Sequence, residues 1–146
     1  GGRRPAAQKK GFFLEPTVLT EVDNAMAVMK DETFGPVCPV MPYKDFDQAV
    51  KMTNDSIYGL GANLYTHDSR KVKRFFEEVQ AGTIWINDPL TDNDAGPFGG
   101  FKQTGACREL GEEGLTEFQQ AKHIHWDFEQ KNKPWWYPYS PKNGKK

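Results

Sequence analysis

The sequence predicts an α/β fold, in which an open and mostly parallel sheet carries flanking helices. Two stretches rich in β-forming residues lie at 60–66 and 83–87, and the amphipathic stretch 70–80 separates them. A strand, a helix and a second strand within about thirty residues form a βαβ unit, whose crossover is right-handed. The second stretch is almost continuously apolar, which is typical of a parallel strand covered on both faces.

Two short strands are predicted before this unit. Residues 13–19 are rich in β-forming side chains but contain Pro16, which favours an edge strand over a central one. Residues 37–41 form a short apolar run that Pro39 interrupts. We expect this second strand to be buried.

Three short helices are predicted outside the unit. Asn24 is placed to cap a helical turn at 24–29, which leads the chain towards Glu32. Apolar residues behind a leading aspartate predict a helix of about two to three turns over 47–54. The spacing of apolar residues predicts a further short helix over 112–120.

The helix over 70–80 has the clearest pattern in the chain. Its apolar residues recur at i, i+3, i+4 and i+7 and form one stripe, which consists of Val72, Phe75, Phe76 and Val79. Asp68 or Ser69 is a suitable N-cap for this helix. Gly82 is the predicted stop signal at its end.

A long loop and a second alternating stretch follow the unit. Residues 88–100 contain two prolines, three glycines and three aspartates, and ligands in open α/β sheets bind beside such strand ends. Residues 122–128 alternate strictly between two faces, with His123, His125 and Asp127 on one and Ile124, Trp126 and Phe128 on the other. The alternation predicts a half-covered strand, and the Lys-, Pro- and aromatic-rich residues 129–146 predict an extended tail.

The composition indicates one globular domain. The 146 residues are 27% charged and 37% hydrophobic, a balance that argues against a membrane protein or a disordered chain. A formal net charge of -1 argues against general affinity for nucleic acid, and no apolar run approaches the roughly 18 residues of a membrane span. Cys38 and Cys107 form neither a disulfide framework nor a metal-site spacing, so we expect a reducing, cytoplasmic setting.

Residues 30–37 combine side chains with a specific binding chemistry. Glu32 offers a carboxylate that can accept hydrogen bonds from vicinal hydroxyls, as acidic residues do with the ribose of nucleotide cofactors. Phe34 can pack on a flat ring, and Gly35-Pro36 turns the chain and admits close backbone approach. The alternative is that Glu32 ends a helix, Phe34 fills a core and Gly-Pro is an ordinary turn.

This segment resembles the E-x-F-G-P motif of the aldehyde dehydrogenase superfamily. Four further segments resemble motifs of the same family in the same order. They are Gly11-Phe12-Phe13-Leu14-Glu15-Pro16-Thr17-Val18, Tyr58-Gly59-Leu60, Ala81-Gly82-Thr83-Ile84-Trp85-Ile86-Asn87 and Pro97-Phe98-Gly99-Gly100-Phe101-Lys102. Five ordered matches argue against chance agreement.

The resemblance implies the C-terminal part of a catalytic domain. In the family, the catalytic cysteine, the general-base glutamate and the dinucleotide-binding half all precede the first matching segment. The resemblance therefore implies no catalytic residue in this chain and no activity of the chain alone. It divides the chain into a leading loop or cut end at 1–10, a catalytic-domain segment at 11–121, an oligomerisation strand at 122–128 and the tail at 129–146. The implied reaction is oxidation of an aldehyde to a carboxylic acid with NAD, and NADP is not excluded.

The resemblance also implies roles for individual residues. Glu32 would hydrogen-bond the nicotinamide ribose hydroxyls, and Phe34 would pack beside this ribose and the nicotinamide ring. Phe98 would line the mouth of the aldehyde pocket, and the loop 90–96, which contains Asp92, occupies the place of the substrate-contacting residues. An acidic mouth there would favour cationic aldehydes by charge attraction. The alternative is a solvated turn rich in Asx residues.

Neither cysteine is expected to be the nucleophile. Cys38 lies in a strand expected to be buried, where a thiol behaves as a small hydrophobic group. Cys107 stands where the family usually has glycine. A residue other than glycine at that position must avoid a positive φ or bear its cost.

The stretch 122–128 has two interpretations. His123 and His125 could form a metal pair, but Asp127 is the sole third ligand at a plausible spacing, so no metal is expected. In the family, the corresponding strand adds to the sheet of a neighbouring subunit, which implies a homo-oligomer, either a dimer or a tetramer. The rival hypothesis for the whole chain is an independent assembly or binding module with no catalytic role.

Overall fold

The computed structural model describes residues 1–88, 91 and 93–137. Short strands and helices follow one another along this part of the chain. In chain order they are β1 (Thr17–Leu19), α1 (Ala27–Lys30), β2 (Val37–Pro39), α2 (Phe46–Asn54), β3 (Tyr58–Gly59), β4 (Gly61–Leu64), α3 (Ser69–Glu78), β5 (Thr83–Ile86), β6 (Phe98–Gly99), β7 (Phe101–Lys102), β8 (Arg108–Glu109) and α4 (Gly111–Thr116).

The described strands form four separate pairs. The pairs β1–β2 and β4–β5 are parallel, whereas β3–β7 and β6–β8 are antiparallel. The segment from β4 through α3 to β5 is the predicted βαβ unit, in which Gly61 lies opposite Thr83 and Leu64 lies opposite Ile86. The α/β arrangement of this unit is thus as predicted. The described residues do not form one open sheet, which therefore stays a prediction.

The hydrophobic core lies between the βαβ unit and α2. Its buried side chains are those of Val50, Phe75, Val79 and Ala81. Partly buried apolar residues pack around them, namely Phe46, Ala62, Leu64, Ile84 and Ile86. All four residues of β5 are only half-buried, which is less than the sequence predicts for a strand covered on both faces.

Aspartates begin the two longest helices. The Asp45 carboxylate accepts a hydrogen bond from the Gln48 N–H at 2.8 Å. The Asp68 carboxylate accepts from the N–H groups of Arg70 and Lys71 at 2.9 and 3.4 Å. Each bond satisfies an N–H that the helix leaves without an internal partner. The predicted N-cap at Asp68 is therefore confirmed.

A charged cluster joins α2 to α3. Arg74 donates hydrogen bonds to Asp47 at 2.7 Å and to Glu78 at 2.6 Å. Because Arg74 donates to its carboxylate, the pKa of Glu78 lies below its ordinary value. The side chains of the cluster are exposed, so it contributes little to stability.

The first helix differs from its prediction. α1 follows Met26, and no side chain caps it. The predicted N-cap at Asn24 is wrong because an Asx turn precedes the helix, in which Asp23 Oδ1 accepts from the Ala25 N–H at 2.7 Å. Asn24 instead donates through Nδ2 to Asp55 at the end of α2, at 2.8 Å.

Gly82 does not end α3. The helix ends at Glu78, and Val79 follows it in an extended conformation. A Cβ atom at position 82 would lie 1.7 Å from the carbonyl oxygen of Gly99. Glycine is therefore required at position 82 for close approach of the backbone that contains β6.

The C-terminal segment is less regular than predicted. α4 ends at Thr116, four residues before the end of the predicted helix. Residues 122–128 pair with no strand in the described part of the chain. Ile124, Trp126 and Phe128 are 75%, 71% and 80% exposed. A strand that adds to a neighbouring subunit needs that subunit as its partner, so the oligomerisation strand stays a prediction.

The described part of the predicted tail contains a turn. The Trp136 N–H donates to the Lys133 carbonyl oxygen at 3.0 Å, and the Lys133 ammonium pairs with Asp127. Because Lys133 and the Glu129 N–H donate to its carboxylate, the pKa of Asp127 lies below its ordinary value. Residues 138–146 lie outside the described residues. Across the described ranges, none of the helices has the length and apolar character that crossing a membrane requires.

Candidate functional site

Two consecutive three-residue turns shape the segment between α1 and β2. The Gly35 N–H donates to the Thr33 carbonyl at 3.0 Å, and the Val37 N–H donates to the Gly35 carbonyl at 2.8 Å. The Thr17 N–H donates to the Pro36 carbonyl at 2.8 Å and ties the second turn to β1. The Gly-Pro sequence thus compacts the chain and leads it directly into the parallel β1–β2 pair.

Glu32 and Phe34 lie on this compact segment and point away from a core. α1 ends at Lys30 and Asp31 is its C-cap, so Glu32 lies beyond the helix and does not end it. Phe34 is 94% exposed. Within the described residues, Glu32 therefore lies outside the helix and Phe34 fills no core.

Glu32 lines a cavity of about 600 Å³. Most of the other lining residues belong to the end of α2, the segment through β3 and β4, and the segments after α3 and β7. They are Thr53, Ser56, Tyr58, Gly59, Leu60, Gly61, Ala62, Val79, Gln80, Ala81, Gln103 and Thr104. Within the described residues, the Glu32 carboxylate has no hydrogen-bond or ion-pair partner.

The cavity suits a ligand that carries adjacent hydroxyl groups. A carboxylate with both oxygens unpaired can accept one hydrogen bond from each of two neighbouring hydroxyls. Gln80, Gln103 and Thr104, which carry amide and hydroxyl side chains, are among the other lining residues. The residues present therefore fit the ribose of a nucleotide cofactor, as the sequence predicts for Glu32.

The other predicted binding residues are not gathered around Glu32. Phe98 is half-buried in β6, where it lies opposite Glu109, and it is outside the cavity lining. Asp92 lies outside the described residues. Asn93 forms an Asx turn in which its Oδ1 accepts from the Ala95 N–H at 2.9 Å. This turn agrees with the alternative of a solvated, Asx-rich loop at this position.

The structure corrects the environment of one cysteine. Cys38 is exposed, not buried, because it is the middle residue of β2 and alternates to the face opposite Val37 and Pro39. Cys107 is exposed as well, and the positive φ in its segment belongs to Gly105 at 116°. Neither thiol lines the Glu32 cavity. No group of three or more metal-ligating side chains occurs in the part of the chain that the structure describes.

A lysine that sequence reasoning left without a role supports the cavity wall. Lys102 Nζ donates to the carbonyl oxygens of Asn54 and Ser56, at 2.8 and 2.9 Å. The Gly59 N–H donates to Thr104 Oγ1 at 3.0 Å, two residues beyond this lysine. The end of the Pro97–Lys102 segment therefore holds the chain that leads from α2 through Tyr58-Gly59-Leu60.

Two asparagines also clamp backbone across long distances in sequence. Asn54 donates through Nδ2 to the Glu78 carbonyl and accepts through Oδ1 from the Gln80 N–H, both at 2.8 Å. Asn87 makes the same pair of bonds to the N–H and carbonyl of Thr66, again at 2.8 Å. Asn87 and Lys102 adopt positive φ values of 57° and 56°. Asn87 and Lys102 each end a segment that resembles a family motif, and this position is the sequence signal that could have identified them.

Comparison with known proteins identifies related chains. The aldehyde dehydrogenase family profile matches residues 1–124. The chloroplastic aminoaldehyde dehydrogenase ALDH10A8 of Arabidopsis thaliana is 41% identical over 138 residues, which are 94% of this chain and 27% of the plant protein. Cytosolic aldehyde dehydrogenase 1 of Rattus norvegicus is 42% identical over 123 residues, which are 84% of this chain and 25% of the rat protein.

A solved structure agrees with these sequence relatives. Betaine aldehyde dehydrogenase of Staphylococcus aureus, in complex with NAD+, matches with a TM-score of 0.83 and 40% identity, over 94% of this chain and 28% of that chain. The chain thus spans about a quarter of the length of these relatives. The matched range 1–124 includes all five segments on which the resemblance was based, so the predicted relationship is confirmed. The chain belongs to the aldehyde dehydrogenase family.

Proposed function

We propose that the chain is part of an NAD(P)-dependent aldehyde dehydrogenase that oxidises an aldehyde to a carboxylic acid. Glu32 holds the nicotinamide ribose, and Phe34 packs beside this ribose and the nicotinamide ring. Phe98 and Asp92 border the entrance of the aldehyde. Residues 122–128 join the subunits of a homo-oligomer, a dimer or a tetramer.

The surroundings of Glu32 are the observation that supports this proposal best. Glu32 lines a cavity of about 600 Å³, and its carboxylate is unpaired within the described residues. The same cavity is lined by Tyr58-Gly59-Leu60, a second segment that resembles a family motif. When bound, NAD supplies a nicotinamide ring that accepts a hydride. By fixing the ribose hydroxyls, Glu32 limits the rotation of the attached ring and orients it for that transfer.

The chain alone is proposed to be inactive. Aldehyde oxidation also needs a thiolate nucleophile and a general base. Cys38 and Cys107 are both exposed, and neither lines the Glu32 cavity. We therefore assign the nucleophile and the base to other residues of the complete enzyme, with NAD as the cofactor and NADP as the alternative.

The proposal extends to the class of aldehyde and to the cellular compartment. Relatives named for aminoaldehydes and betaine aldehyde are among the matched proteins, and the acidic residue Asp94 lies in the loop that the family uses for substrate contacts. An amino- or trimethylammonio-aldehyde is thus a candidate substrate. The cytoplasm is the proposed location because of the cysteine usage, although the relatives include both cytosolic and chloroplastic proteins.

Replacing Glu32 by glutamine in the complete enzyme tests the cofactor role. The Glu32→Gln side chain keeps its size but loses the charge that strengthens hydrogen bonds from the ribose hydroxyls. We expect the KM for NAD to rise about fivefold, or hydride transfer to slow by about the same factor. Initial rates and single-turnover NADH absorbance measure the two effects.

Glu77→Gln is the matched control for this substitution. Glu77 lies on the exposed face of α3, pairs with Lys73 at 3.8 Å and is outside the cavity, so its replacement should leave the cofactor kinetics unchanged. Subunit assembly should survive both changes. If Glu32→Gln leaves the KM and the transfer rate unchanged, the cofactor role is wrong and the rival hypothesis of an assembly or binding module gains support.

A further inference from the structure

We propose that Asn24 and Asp55 form a positioning pair for Glu32, an inference that rests on the proposed function of Glu32. Asn24 Nδ2 donates to Asp55 Oδ2 at 2.8 Å across 31 positions of sequence. The bond joins the turn before α1 to the residue that follows α2. It therefore links the part of the chain that carries Glu32 to the part that forms most of the cavity wall.

The path from Asn24 to Glu32 is short and held by local hydrogen bonds. The Met26 N–H donates to the Asp23 carbonyl at 3.1 Å, which fixes the turn at the start of α1. The Asp31 N–H donates to the Ala27 carbonyl at 2.8 Å, which closes the end of α1. Glu32 is the next residue. A displacement of Asn24 is thus transmitted through one helical turn to the Glu32 backbone.

The other member of the pair is anchored on both sides. The carbonyl oxygens of Asn54 and Ser56, which flank Asp55, both accept hydrogen bonds from Lys102 Nζ. The Asn54 side chain also clamps the end of α3 at the Glu78 carbonyl. Asp55 therefore offers Asn24 an acceptor whose neighbouring residues are anchored.

Packing alone does not hold α1 against α2. A cavity of about 690 Å³ lies between them, and it is lined by Asn24, Ala25, Met29, Lys30, Asp31, Met52, Asp55, Ser56 and Ile57. Side chains separated by open space make few van der Waals contacts, so packing constrains the two helices only weakly here. Where the side chains stand apart, the directional hydrogen bond between Asn24 and Asp55 sets the relative position of the two helices. Ser56 lines this cavity and the Glu32 cavity, so it connects the pair to the site.

The pair can be tested in the complete enzyme by exchanging the hydrogen-bond donor and acceptor between positions 24 and 55. Asn24→Asp places two carboxylates opposite each other, which removes the bond and adds repulsion. We expect Asn24→Asp to raise the KM for NAD about fivefold, with a smaller change in kcat at saturating NAD. The reason is that a smaller fraction of the enzyme molecules then holds Glu32 in position to bind the ribose. Adding Asp55→Asn restores a hydrogen bond in the reverse direction, and the KM should return to within about twofold of the original.

Two further variants separate a positioning role from general destabilisation. In a Glu32→Gln background, Asn24→Asp should raise the KM by a clearly smaller factor, because the charge that the pair positions is already lost. Asp47→Asn also converts a carboxylate on α2 to an amide and breaks the ion pair with Arg74, but position 47 is outside the cavity. Its melting temperature should fall slightly while its KM for NAD stays unchanged.

The outcomes distinguish this inference from the proposed function beneath it. If Glu32→Gln does not alter the cofactor kinetics, the proposed function is wrong and the pair has nothing to position. If Glu32→Gln does alter them but Asn24→Asp does not, the positioning role alone is overturned. It is also overturned if Asn24→Asp acts equally with and without Glu32, or if the exchanged pair fails to recover the KM while its melting temperature recovers.

Discussion

Lys102 combines a strained backbone with strong side-chain bonds. Its φ of 56° lies in the left-handed region, which costs a residue with a side chain about 1 kcal/mol. Its ammonium group donates to two carbonyl oxygens at the C-terminal end of α2, where a cation is favourable. Hydrogen bonds from a charged donor are stronger than neutral ones, and two of them offset the backbone cost.

Replacing Lys102 by methionine should therefore destabilise the fold around the cavity. Lys102→Met keeps the length of the side chain but removes two exposed hydrogen bonds to carbonyl oxygens, at a cost of about 1 kcal/mol. We expect a lower melting temperature and faster amide hydrogen exchange in the segment after α2. Lys73→Met, which removes an exposed pair with Glu77, is the control and should change stability by less than about 0.5 kcal/mol. Equal effects of the two substitutions would contradict the assigned role.

The residue types at 30–37 suggested Glu32 as a binding candidate, a role that stays a prediction, but they did not indicate the residues that support the cavity wall. A carboxylate followed by an aromatic and Gly-Pro pointed to Glu32, and the structure gives Glu32 a cavity and no competing partner within the described residues. The supports bond to backbone atoms far away in sequence, as Lys102 does to Asn54 across 48 positions. Residue type and local spacing do not indicate such bonds, because almost any carbonyl is a possible acceptor.

Elements with strong local signals were predicted best. α2 and α3 each follow an aspartate N-cap and pack an apolar stripe against the core. Each of these helices starts and ends within two residues of its predicted bounds. Weak local signals were overridden by contacts with other parts of the chain, as at α1, where Asn24 bonds to Asp55 and does not cap the helix. The strand predicted at 122–128 depends on a partner strand, which local alternation cannot supply.

Gly82 offers a sharp test of the contact between β5 and β6. Gly82→Ala would place a Cβ atom 1.7 Å from the Gly99 carbonyl oxygen, so the two backbones must move apart. Such overpacking costs about 1–3 kcal/mol, and we expect a lower melting temperature. Gly96→Ala is the matched control, because its Cβ would lie 3.6 Å from the nearest atom, an ordinary contact. Similar melting temperatures for the two variants would show that the backbones at Gly82 and Gly99 are not in close contact.

At the scale of the whole molecule, exposed large hydrophobic side chains outnumber buried hydrophobic residues across the described part of the chain. The buried hydrophobic residues of the described part are Val22, Val50, Phe75, Val79 and Ala81. Several aromatic side chains are almost fully exposed, among them Phe12 at 106%, Phe34 at 94% and Phe118 at 93%. Because exposed apolar side chains favour protein association, we expect the isolated chain to associate with itself.

Light scattering of the purified chain measures this association directly. We expect dimers or larger species at micromolar concentrations, and Trp126→Lys should shift the population towards the monomer because Trp126 lies in the segment proposed to join subunits. Trp135→Lys is the matched control, since Trp135 is 68% exposed against 71% for Trp126 but lies outside that segment. If both substitutions dissociate the chain equally, general apolar exposure drives the association, and residues 122–128 have no specific part in it. A folded monomer of the unmodified chain would contradict the assembly role altogether, because unpaired edge strands and exposed aromatic rings favour association.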